Sequence, residues 1–220
     1  MMEWTPINLE ELQRKSQYLH FINGTGCDYS TTAEVDITAL YRTAKKRGIK
    51  VNAAMVYAVT AAANEQRELR MRLDEEGRLG YWDFLSPIYS IFHPEWETYS
   101  KIWTEFNWEF SQFYQSYLED NQAYRDVNEY FGKQNVPKNA FYMTAIPWQD
   151  FASIQFHNPK ARPSDLTPFL AWGRFRKKRG RVTAAMTLRV NHAVCDGFHV
   201  SRFFQAVEQR SRRAKEWLRQ

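Results

Sequence analysis

The chain has 220 residues, of which 44% are hydrophobic, 25% charged and 16% aromatic, with a formal net charge of +5 and two cysteines. These values suit one domain over residues 1–220 with a sizeable core, and they exclude disordered, collagen-like, linker-rich and disulfide-framework classes. The longest uncharged stretch, residues 51–64, is too short and too polar to span a bilayer. The first residues also lack the basic and apolar regions of a signal peptide, so the expectation is a cytoplasmic protein without a membrane partner.

Asn8 can cap a short helix carrying Leu9 and Leu12 on one side. Residues 29–37 mix threonine, valine and tyrosine as a strand does. Asp36 or Thr38 then starts a helix through Leu40, Tyr41 and Ala44 that ends near Gly48. A second helix is expected over residues 53–66, with Met55, Val56, Val59 and Ala63 on its buried face. Residues 69–103 change to strands separated by turns, the clearest turn being Asp74-Glu75-Glu76-Gly77. Residues 108–124 form an aromatic helix in which Phe110, Phe113, Tyr114 and Tyr117 recur at helical spacing, as core residues rather than a cofactor box. Strands are expected at 141–146 and 151–156, then a hairpin from 169–175 and 182–190. A last helix covers 198–218, with Val200, Phe203, Phe204 and Val207 inward. The expected class is α+β, a two-layer sandwich of a mixed sheet packed with helices.

Arg174, Arg176, Lys177, Lys178, Arg179 and Arg181 place six basic groups in eight positions, and the rest of the chain has 24 basic against 25 acidic residues. A nucleic-acid groove spreads cations over a surface among planar side chains, whereas this cluster sits in one hairpin turn. It reads as a solvated turn, some of whose members can meet a phosphorylated ligand.

The densest chemistry is the run Asn191-His192-Ala193-Val194-Cys195-Asp196-Gly197-Phe198-His199. A metal site from His192, Asp196 and His199 needs a continuous helix, which Gly197 opposes. A Cys195 thiolate nucleophile conflicts with its apolar neighbours. His192 as a general base at a strand end is the third reading, and a purely structural histidine is the fourth.

His-Ala-Val-Cys-Asp-Gly-Phe-His resembles the His-x-x-x-Asp-Gly signature of the CoA-dependent acyltransferases, most closely the chloramphenicol acetyltransferase family. Further ordered segments extend the resemblance along nearly the whole chain. They are Gln13-Arg14-Lys15, Val35-Asp36-Ile37-Thr38, Glu68-Leu69-Arg70-Met71, Trp82-Asp83, Phe92-His93, Glu97-Thr98-Tyr99-Ser100, Pro147-Trp148 and Phe151-Ala152-Ser153.

The resemblance implies O-acetyl transfer from acetyl-CoA, without a metal, to a hydroxyl of chloramphenicol in a homotrimer with active sites between subunits. It makes His192 the general base, which typically contributes about 10²–10⁴-fold. Ser153 becomes the hydroxyl donor to the oxyanion. Arg14 pairs with Asp196 in structural support of the site, a pair that costs about 3–5 kcal/mol to break if buried. Lys50 and Arg174 meet the CoA phosphates, and Phe21, Cys27 and Tyr29 wall the acceptor pocket. His93 and His199 match family positions without a role, and His20 and His157 match none. Four features depart from the family: Asn191 replaces a second histidine, Ala171 a threonine, and Val51-Asn52-Ala53 a Phe-Tyr-Pro run, and residues 22–26 are rich in glycine. The alternatives are transfer to another hydroxyl, or a ligand-binding trimer with poor catalysis.

Overall fold

The structure, a computed structural model, describes residues 2–156 and 165–219. Strand β1 (Trp4–Pro6) leads through a 3-10 turn (Leu9–Glu11) to α1 (Lys15–His20), which runs into a wider turn at Phe21–Thr25. Then come β2 (Asp28–Asp36), α2 (Thr38–Lys46), α3 (Val51–Asn64), α4 (Arg67–Arg70), β3 (Met71–Leu73) and β4 (Leu79–Trp82). They are followed by β5 (Ser86–His93), β6 (Thr98–Trp103), α5 (Phe110–Ala123), β7 (Ala140–Ile146) and β8 (Phe169–Gly173). The chain ends with β9 (Arg176–Lys178), β10 (Arg181–Asn191), α6 (Gly197–Arg212) and α7 (Ala214–Trp217).

Among the described residues the main sheet runs β2-β10-β8-β7-β5-β6, with β9 on the edge of β10, and a small sheet runs β1-β4-β3. The pairs β5·β7 and β7·β8 are parallel and the others antiparallel, so the sheet is mixed and the α+β expectation holds.

Alternation along β10 divides the sheet into two faces. Val182, Ala184, Met186, Leu188 and Val190 are buried and join the core with Leu170 and Trp172 of β8 and Phe141 and Met143 of β7. Helix α3 packs into this core. It is buried nearly all round rather than on the one face expected, because it lies between other helices and the sheet. The other face carries a row of small polar side chains. Register puts Thr32 opposite Thr187, Thr187 opposite Ala171, Ala171 opposite Thr144, and Lys101 opposite Ser90. The Thr32 and Thr187 hydroxyls lie 2.6 Å apart and those of Ser90 and Thr144 3.5 Å.

Three local expectations change. Residues 151–156 form no strand. β8 already has β7 and β10 as neighbours, so no open edge is left, and Phe151 and Phe156 pack instead against Gly173 and Phe169. The last helix breaks at Arg213 into α6 and α7. β1 lacks alternation and went unread; it pairs with β4 where a side chain on Gly80 would strike the Trp4 ring at 2.3 Å.

Candidate active site

β10 ends at Asn191, and the next five residues turn the chain into α6. Asn191, the departure from a second histidine, ties this turn down: its Oδ1 accepts from the Ala193 N–H at 2.9 Å and its Nδ2 donates to the Asp165 carbonyl at 3.2 Å. The His192 N–H donates to the Cys27 carbonyl at 2.7 Å, fixing the start of β2 to the turn.

The His192 ring is held by aromatic faces. Phe21 stacks on it at 4.4 Å with an interplanar angle of 10°, and Tyr29 lies tilted at 5.1 Å. Its Nδ1 is buried without a hydrogen-bond partner among the described residues, as is the Tyr29 hydroxyl. Burial raises the Tyr29 phenol well above its ordinary pKa. The three residues expected to wall the acceptor pocket, Phe21, Cys27 and Tyr29, are thus all brought to His192 within one chain.

Asp196 does not point at His192. It caps α6, accepting from the Phe198 N–H, while His199 Nδ1 accepts from the Asp196 N–H at 3.1 Å. The Asp196 carboxylate lies 3.5 Å from Arg14 and 2.8 Å from His199. Burial pushes its pKa up, but His199, Arg14 and two backbone N–H groups together hold it below the ordinary carboxylate value. Arg14 spends its stronger bonds on backbone, donating to the carbonyls of His192 at 3.0 Å and Val194 at 2.9 Å. The pair forms, but the Asp196 side chain is 43% exposed. The penalty of a fully buried ion pair therefore does not apply. His199 also lies 3.6 Å from Glu68, which Arg202 holds at 2.6 Å.

Cys195 is buried and its thiol is pushed up to about 12, chiefly by burial, so it is no thiolate nucleophile. His93 is buried and bonded to Ser100, and His20 meets the edge of Phe21. His157 lies outside the described residues. Among those residues no cluster of His, Cys, Asp and Glu could hold a metal, and no helix is long and apolar enough to cross a membrane.

A cavity of about 680 Å³ opens at the other end of the polar face. Arg174 and Lys177 stand on its wall with the exposed Trp148 indole, and Ser90 and Thr144 are among the hydroxyl-bearing residues that line it. The basic cluster is the expected hairpin turn, with Arg179 and Gly180 at positive φ. Two of its six cations are answered locally: Arg176 by Glu34 and Asp150, Arg181 by Asp36. Lys177 lies over the Tyr41 ring at 4.7 Å and reaches the cavity, a role not expected for it. Lys50 is exposed at the start of α3, two residues before the cavity-lining Asn52.

Ser153 is exposed and outside this wall, in the irregular segment along β8. A hydroxyl on the cavity wall not singled out in the sequence is that of Thr144. Its signal was available, a lone threonine facing away from the core between Met143 and Ala145 just before Pro147-Trp148. His192 lies five residues along β10 from Thr187, which is level with Ala171 and Thr144. With about 3.4 Å per residue and about 4.8 Å between strands, base and cavity hydroxyl are on the order of 20 Å apart in one chain.

A mixed sheet with helices on one face, and His-x-x-x-Asp-Gly where its long strand turns into a helix, is the arrangement of the CoA-dependent acyltransferases. The family model described as chloramphenicol acetyltransferase matches residues 2–208, and the chain belongs to that family. It is 36% identical over 217 residues to a chloramphenicol acetyltransferase of Clostridium perfringens, covering 99% of both chains. It is 40% identical over 207 residues to one of Staphylococcus aureus, covering 94% of this chain and 98% of the other. A solved chloramphenicol acetyltransferase shares the fold with a TM-score of 0.82 at 24% identity, over 94% of this chain and 99% of that one. The cubic core of a pyruvate dehydrogenase multienzyme complex shares it at 0.64 and 15%, over 96% and 91%.

Proposed function

We propose that the chain is a chloramphenicol O-acetyltransferase that moves the acetyl group of acetyl-CoA to a hydroxyl of the drug. The family match, over nearly all of relatives that bear this name, carries the reading. His192 is the base: it takes the proton of the acceptor hydroxyl as that oxygen attacks the thioester carbonyl, and CoA leaves as the thiol. The two aromatic faces keep its imidazole in place. Attack is direct, in a ternary complex, which is consistent with a Cys195 too basic to form an acetyl-enzyme.

The oxyanion of the tetrahedral intermediate is assigned to the Thr144 hydroxyl, with Ser90 beside it, in place of Ser153. Arg174 and Lys177 suit the phosphates of CoA, Lys50 flanks them, and Trp148 offers a stacking surface. The chain is active as a homotrimer in the cytoplasm, where His192 of one copy meets the cavity of the next. Supporting this, base and cavity hydroxyl stand far apart in one chain. Light scattering at micromolar concentration is expected to give three copies, and a monomer would overturn the shared site.

The activity test follows CoA thiol release with and without chloramphenicol, for wild type and His192→Ala. Drug-dependent release that His192→Ala abolishes is expected. Absence of drug-dependent release at saturating substrates would remove chloramphenicol as the acceptor. Ala171, which leaves a gap in the hydroxyl row, favours a second reading in which another hydroxyl compound is the better acceptor.

A further inference from the structure

We propose that Lys101 is a specificity residue for the acceptor, its ammonium receiving a carboxylate carried on an aromatic ring. The inference rests on the acyl-transfer reading above and names a substrate class for the same site.

Lys101 stands on β6 opposite Ser90, whose hydroxyl is 3.5 Å from that of Thr144 at the inner end of the cavity. Its side chain crosses Ser90 and ends at β7, where Nζ donates to the Met143 carbonyl at 3.2 Å. Nζ lies 5.6 Å from the centre of the Tyr99 ring, which lines the cavity, and 5.9 Å from that of Phe169.

Only 5% of Lys101 is exposed, and among the described residues no carboxylate lies within ion-pairing distance. One carbonyl answers one of three N–H donors. Burying an ammonium without a counter-charge is among the most costly choices a fold can make. Arg72, the other deeply buried cation among the described residues, is answered by the carbonyls of Leu69, Met71, Leu166 and Ala140. Lys101 has no comparable set.

The missing counter-charge is assigned to a ligand. The phosphates of the acyl donor belong with Arg174 and Lys177, by the rim of the cavity, whereas Lys101 lies behind its hydroxyl end. An anion reaching Lys101 therefore arrives on the acceptor. Tyr99 and Phe169 beside Nζ make a ring the natural carrier of that anion.

The test uses the full chain and three acceptors sharing the chloramphenicol side chain: the nitrophenyl parent, the analogue with carboxylate in place of nitro, and the unsubstituted phenyl compound. Thiol release by the wild type is expected to favour the carboxylate over the unsubstituted compound by about 10–100-fold in kcat/KM. Lys101→Met and Lys101→Gln, each checked for a cooperative melt, are expected to bring that ratio near unity. Calorimetric binding of the same compounds reads the preference without turnover. An equal ratio in wild type and both variants, by kinetics and binding, overturns the proposal. Absence of thiol release with all three acceptors would instead overturn the acyl-transfer reading, and the binding ratios would still decide the role of Lys101.

Discussion

The turn around His192 and the cavity around Trp148 occupy opposite ends of one sheet and are built on opposite principles. At the turn, most polar groups are answered by the chain itself, the exceptions among the described residues being His192 Nδ1, the Tyr29 hydroxyl and Arg14 Nε. Arg14 bonds two carbonyls, both ends of the Asn191 amide are used, and Asp196 caps the helix that follows. At the cavity, Trp148 is 60% exposed, Arg174 is exposed beside it, and residues 149–156 run without regular structure. Groups that hold a geometry are saturated inside the chain, and groups that receive a ligand are left open. Damage at the turn should then register in chemistry or stability, and damage at the cavity in substrate handling and transition-state charge.

The largest effect is expected where the turn presents its imidazole. His192→Gln should lower kcat/KM by about 10²–10⁴-fold with the thermal transition unmoved. A loss of stability to match would mean that the histidine belongs to the saturated frame. Next comes the cavity hydroxyl. Thr144→Ala should cost about 2.7–4 kcal/mol of transition-state stabilisation, read as a fall in kcat, while Ser153→Ala leaves kcat nearly intact. The reverse order would restore the oxyanion role to Ser153.

Smaller effects separate two partners within the turn. Arg14→Met removes charged hydrogen bonds to two carbonyls and should cost about 1.5–3 kcal/mol in denaturant unfolding. Asp196→Ala removes a helix cap and should cost about 0.5–2 kcal/mol. Because the Asp196 pKa is lowered in the folded chain, its contribution is present above the ordinary carboxylate pKa and lost as pH falls through the lowered value. Equal losses for the two variants would mean that the ion pair, and not Arg14's bonds to backbone, holds the turn.

The turn was also the more legible region. His192, Asp196 and Gly197 are contiguous in sequence, and alternation in β10 makes the strand leading to them visible. Arg14 was reached only through resemblance, since its bonds to His192 and Val194 span nearly the whole chain. The cavity was harder. Thr144, Ser90 and Lys101 come from three strands and meet only through parallel pairing of β5 with β7, which no local pattern encodes. Ser153 comes from the family's chain order, a serine after Phe-Ala, whereas Thr144 comes from the register of β7 with β8. Residues 151–156 carry strand-like composition, and what decided their structure was the absence of a free edge on β8.

Lys101 gives the finest test of the contrast, because it is a buried ammonium behind the hydroxyl end of the cavity with one carbonyl as its hydrogen-bond partner among the described residues. Burial lowers its pKa from 10.5 to about 8. A lysine whose folded pKa lies below its unfolded value destabilises the fold wherever both states are protonated. That penalty is therefore fully present below about pH 8 and fades as pH rises toward the unfolded pKa of 10.5. Lys101→Met should be more stable than wild type by about 1–3 kcal/mol near pH 7, with the gap shrinking by about pH 10. Urea unfolding at both pH values measures it. A gap of the same size at both would mean that Met simply packs better than Lys and that no buried charge is held there. If the gap closes on adding the carboxylate acceptor at neutral pH, the penalty is the one the ligand removes.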